Sequence, residues 1–119
     1  MSFRLEKTMR IVDELVGFCC KRGGNNITIH YNIEQPTETV ISVIAKNVIA
    51  NEDDIETLKT AINQGRQYEV EECFWVVSGD DSFGDELTLI GIMLDYGDLT
   101  YENNILSIKA YRKEEQKKR

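Results

Sequence analysis

The chain has 119 residues, 41% of them apolar, which suits one domain with a single core. Its longest apolar run, VISVIA at 40–45, is far below the roughly 18 residues of a membrane-spanning helix, and the N-terminus is charged where a secretory signal would be apolar. The net charge of −7 is uneven, with fourteen acidic and two basic residues over 51–102 against two acidic and six basic over 103–119. Such a field repels phosphate backbones, so a nucleic acid is not expected as partner, while the short apolar runs and charged N-terminus lead to the expectation of no membrane partner and a cytoplasmic location.

Leu5, Met9, Val12, Leu15, Val16 and Cys19 recur at three- and four-residue spacing, with Phe18 widening the stripe. The chain is therefore expected to open with a long amphipathic helix that buries these residues and ends at Gly23-Gly24 after the basic pair Lys21 and Arg22. Ile27, Ile29, Tyr31 and Ile33 alternate with Thr28, His30, Asn32 and Glu34, the pattern of a strand with one buried face. Gln35-Pro36-Thr37 breaks the run, and the β-branched, nearly continuous apolar stretch from Thr39 to Val48 predicts an inner strand completing a hairpin.

Asn51 is the expected cap of a second helix. Glu52, Asp53 and Asp54 complement its dipole, Ile55, Leu58, Ala61 and Ile62 share one face, and Gly65 acts as the stop. Val70, Cys73, Phe74 and Val77 favour a short third helix within 66–77, and 79–84 reads as a loop. A fourth helix is expected from an Asp85 cap, with Glu86 in its first turn, Leu87, Ile90, Met93 and Leu94 on one face, and Gly97 ending it. Leu99 and Tyr101, a turn at Asn103-Asn104 that tolerates positive φ, and Leu106, Ile108 and Ala110 then make a second hairpin. The expected fold is a single α+β domain over 1–112, a two-layer sandwich with an antiparallel sheet of about four strands and helices on one face. Residues 113–119 form a charged, frayed tail.

Chemically the sequence offers little. GDDSFGDE at 79–86 packs carboxylates around two glycines but lacks the ligand register of a calcium loop, so a solvated turn with a helix cap is the simpler reading. His30, the only histidine, lies on the polar parity of its strand with no acidic or thiol companion nearby in sequence. Cys19, Cys20 and Cys73 are an odd set without zinc-site or C-x-x-C spacing, and reduced, mostly buried thiols are expected. No glycine-rich phosphate loop is present, and no catalytic, cofactor-binding or metal-binding residue is assigned. What remains is an aromatic and acidic contact patch: Glu69, Glu71, Glu72, Trp75, Asp80 and Asp81 are the candidate residues for binding a basic protein partner.

The order of long helix, hairpin and helices, followed by ELTLIGIMLDYGDLTYENNILSIKAYR at 86–112, resembles the histidine-kinase-like ATPase fold, specifically the small anti-sigma-factor serine kinases, over most of the chain. That family carries on its first conserved helix a glutamate and, four residues on, a magnesium-holding asparagine. Glu14 matches the first, whereas the second position is Phe18. Where the family has an aspartate-x-glycine that reads the adenine amino group, this chain has Ala45-Lys46-Asn47-Val48, and the glycine-rich lid is reduced to Gly79 and Gly84 among acids. The resemblance thus implies a fold that has lost its ligand and a non-catalytic regulatory or adaptor role. The alternatives are an ATP-binding kinase with a rearranged site, in which Glu14 acts as base, and a structural subunit of a homo-oligomer.

Overall fold

The computed structural model describes residues 3–74 and 87–114. Its elements are α1 (Arg4–Lys21), β1 (Asn26–Asn32), β2 (Glu38–Lys46), α2 (Glu52–Ile62), α3 (Tyr68–Phe74), α4 (Thr88–Met93), β3 (Tyr96–Glu102) and β4 (Ile105–Lys113). The four strands form one antiparallel sheet in the order β1-β2-β4-β3. Register sets Ile41, Val43 and Ala45 of β2 opposite Ala110, Ile108 and Leu106 of β4, and all six are buried. With Ile11, Leu15 and Phe18 of α1, Leu58 and Ile62 of α2, and Ile90 and Met93 of α4 they form one core. This is the two-layer α+β sandwich expected from the sequence.

Local chemistry explains most of the boundaries. Asn51 caps α2 in a full capping box, its side chain accepting from the Asp54 N–H at 2.7 Å while the Asp54 carboxylate accepts from the Asn51 N–H at 3.1 Å. Asn103 and Asn104 take φ of 55° and 62°, the left-handed pair that a two-residue hairpin requires. β2 is flanked by strands on both sides, as its apolar run anticipates, and β4 continues to Lys113, one residue beyond the expected domain end. Glu114 remains tied in, its carboxylate accepting from Thr39 Oγ1 at 2.7 Å.

Three expectations are corrected. The fourth helix covers only Thr88–Met93, and Gly97 does not end it but lies within β3, opposite Ala110. A Cβ at Gly97 would stand 2.8 Å from the Lys109 carbonyl oxygen and 3.1 Å from Ile62 Cδ1, so glycine is required there by close packing against β4 and α2. The cap at Asp85 and Glu86 and the loop at 79–84 lie outside the described residues.

The second correction concerns α1. Ile11, Leu15, Phe18 and Cys19 are buried, whereas Leu5 is 46% and Met9 38% exposed. The helix is rolled by its other flank, where Arg4 donates to the Gln35 and Glu38 carbonyls and to Thr39 Oγ1, and Lys7 reaches the carboxylates of Glu71 and Glu72. The third concerns β1: the parity is right but the face is only half covered, because α1 lies over β2 and leaves the edge strand open.

Candidate functional site

α3 presents the sequence YEVEE with its three acids in different surroundings. Glu69 is exposed, and the Glu72 side chain is 67% exposed although its Oε2 lies 2.6 Å from Lys7 Nζ. Glu71 is 1% exposed and does not face a partner. Its carboxylate takes Arg112 Nη1 and Nη2 at 3.2 and 3.0 Å, Arg66 Nε and Nη2 at 2.9 and 3.3 Å, and Lys7 Nζ at 3.0 Å. Arg66 and Arg112 reach outward in turn to Asp95 at 3.2 Å and Glu114 at 3.0 Å. Arg4, Lys7, Arg66 and Arg112 are thereby balanced by Glu71, Glu72, Asp95 and Glu114, and α1, α3 and β4 are tied together through one buried carboxylate.

Burial alone would raise the Glu71 pKa, but hydrogen bonds and charge from Arg112, then hydrogen bonds from Arg66 and Lys7, outweigh it and hold the carboxyl below its ordinary range. The group is thus a fixed anion rather than a proton carrier at neutral pH. Arg66 is buried as well, and its bonds to Glu71 keep it charged against that burial. Its guanidinium also lies 4.2 Å over the Tyr68 ring, which leaves Tyr68 half exposed beside Glu69 and Glu72.

Of the candidate partner-binding residues, Glu71 is thus buried within the ion network and not available at the surface, whereas Glu69 and Glu72 are exposed. Trp75, Asp80 and Asp81 lie outside the described residues. Sequence reasoning missed the acids of α2. Glu52 and Glu56 line a cleft of about 490 Å³ between α2 and β3, with Ala50, Ile55, Leu99 and Tyr101 as its apolar wall. Tyr101 closes one end by donating to the Val48 carbonyl at 2.6 Å and accepting from the Ala50 N–H at 3.2 Å. Glu56 also lines a second cleft of about 480 Å³ beside α4, with Gln64 and Thr88. The i, i+4 spacing of Glu52 and Glu56 was the available signal, but acids at a helix N-terminus are explained first by the dipole.

Of the thiols, Cys19 is fully buried, and burial followed by the neighbouring Cys20 pushes its pKa up to about 11 against the opposing pull of Arg22. Cys20 is exposed, so the expectation of buried thiols fails for that residue. His30 is exposed, and among the described residues no group of three or more His, Cys, Asp or Glu side chains is arranged to hold a metal ion. No helix of the described residues is long and apolar enough to cross a membrane. Comparison of the sequence with models of known protein families finds no match, and comparison with characterised proteins finds none either.

Proposed function

We propose that the chain is a non-catalytic regulatory or adaptor domain that binds another protein through its acidic half, on a fold related to the anti-sigma-type kinases whose nucleotide site has been lost. The observation that carries this reading is the state of Phe18. Its side chain is 1% exposed in the core, with the Arg22 guanidinium 3.8 Å over its ring, at the position where the resembled family places the magnesium-binding asparagine. A buried phenyl ring offers no lone pair to a cation. Ala45 supports the same reading: in the frame that sets it at the adenine-reading aspartate, its methyl is buried between Ile27 and Leu106 in the sheet register. Asn47 then stands at the glycine of that motif with φ of 67°, a left-handed turn retained without the carboxylate.

Docking through charge is supported by the exposed acids around α2, by Glu69 and Glu72 of α3, and by Asp98 and Glu102 of β3. Partners captured from the protein's own cell extract should be basic and should be lost as salt rises, since exposed charges are screened over about 10 Å at 0.1 M. Replacing Glu52→Lys and Glu56→Lys together should weaken low-salt capture about tenfold while costing no more than about 2 kcal/mol of stability through the α2 dipole. Capture that is indifferent both to salt and to these reversals would contradict the electrostatic version.

A further inference from the structure

We propose that the open edge of the sheet is a self-association surface, on which β1 pairs antiparallel with β1 of a second copy about a twofold axis and joins two four-stranded sheets into one. Three observations converge on that edge. β1 is the outermost strand beyond β2, so alternate residues direct their N–H and C=O groups away from the sheet. Its inward parity continues the apolar surface of the layer above: Ile29, Tyr31 and Ile33 are 43%, 41% and 37% exposed. On the same side, the flank of α1 that rolls away from the core carries Leu5 and Met9, with Val12 and Val16 half buried below them.

α1 runs opposite to β1, since Arg4 at its start reaches the β1–β2 turn and the Arg22 carbonyl at its end accepts from the Ile49 N–H beyond β2. Leu5 and Met9, in the first turns of α1, are thus at the same end of the sheet as Ile33 and Tyr31. With Phe3 and Ile29 these six residues are each between 37% and 47% exposed, an open patch on the order of the few hundred Å² at which apolar surface marks an interaction site.

Charge selects the occupant. On a chain of net charge −7, β1 carries no Asp, Glu, Lys or Arg, whereas the opposite edge, β3, is guarded by Asp98 and Glu102. Two copies of β1 can therefore meet without the like-charge repulsion that the acidic remainder of the surface would impose. The edge is complementary to itself in hydrogen bonding, and no charge on the strand opposes the pairing. A single peptide strand from another protein would satisfy the backbone of β1 but leave Leu5 and Met9 in water. A second copy covers both, because each β1 arrives with its own α1 flank on the same face of the joined sheet.

The test is the solution mass of the full chain by sedimentation equilibrium between about 1 and 100 µM. The expected species is a dimer of the 13.7 kDa chain, and Ile29→Lys or Met9→Lys should each raise its dissociation constant about tenfold or more, while Thr100→Lys on the β3 edge should not. Circular dichroism reports whether each variant is folded. Should Ile29→Lys disturb the strand, Met9→Lys carries the test from the helix surface. A wild-type monomer across the range overturns the proposal, as does a dimer unmoved by a folded Ile29→Lys or Met9→Lys variant.

Discussion

Ile90→Asp is expected to leave the chain unfolded at neutral pH. α4 has only six residues, and five of them, Leu89 to Met93, are buried, so the helix is held by packing rather than by its own hydrogen bonds. Ile90 is 0% exposed within the single core. An aspartate there must either ionise without a partner or take up a proton, and the resulting penalty of several kcal/mol is comparable to the roughly 5–15 kcal/mol that stabilises a domain of this size. Lys109→Asp provides the contrast. Lys109 is exposed on the open face of β4, and its replacement costs a like-charge pair with Asp98 directly across in β3 and an exposed contact with the Tyr111 ring, together about 1 kcal/mol. Urea melts followed by circular dichroism should show a cooperative transition for Lys109→Asp and none for Ile90→Asp; equal tolerance of the two would contradict the placement of α4.

The second large effect is expected at Glu71. Glu71→Ala removes the one buried carboxylate that Arg112, Arg66 and Lys7 share, leaving them only the outer carboxylates of Glu114, Asp95 and Glu72, while their side chains are only 2%, 6% and 11% exposed. Breaking a buried pair in this way costs about 3–5 kcal/mol, because the abandoned charges stay desolvated. The pH dependence has a definite sign. The folded carboxyl is held below its unfolded value of about 4.3, so its contribution is fully present above that pH and is lost as pH falls through the folded pKa. The stability gap between wild type and Glu71→Gln, measured by urea midpoints, should therefore be wide at pH 7 and should narrow below about pH 4. A gap independent of pH would mean that Glu71 acts through packing and not through its charge. Combining Glu71→Ala with Arg112→Ala should cost less than the two separate losses added together, since they share one interaction.

Those two sites also mark what the sequence could reveal. Ile90 was legible because helical periodicity and a nearby hairpin are local patterns, and so were Asn51 as a cap and Asn103-Asn104 as a turn, each set by the chemistry of a few adjacent residues. Glu71 was not, because Glu69, Glu71 and Glu72 look alike in sequence, and what separates them is the arrival of Lys7 and Arg112, 64 and 41 residues away. Gly97 was read as a helix stop because glycine signals a break, whereas its need for space comes from Lys109 and Ile62. Periodicity found the apolar residues of α1 but not which of them would be covered. Leu5 and Met9 obey the same spacing as Leu15, and only the roll of the helix over β2 leaves them in solvent. The acids of α2 escaped notice as a surface because capping already explained them. The cleft they line exists only once Leu99 and Tyr101 of β3 are brought alongside.

The most direct test of the proposed function is a calorimetric titration of the chain with magnesium and ATP. A bound triphosphate needs its charge met by a metal and by backbone or basic donors. At the positions where the resembled kinases supply these, the chain has a buried Phe18 and a buried Ala45. The account predicts no heat of binding up to millimolar nucleotide and no rise in melting temperature with ATP, because a ligand bound far above its dissociation constant would stabilise the fold by more than about 2 kcal/mol. A micromolar dissociation constant, or ATP hydrolysis that disappears in Glu14→Ala, would contradict it and establish a working kinase-like site instead.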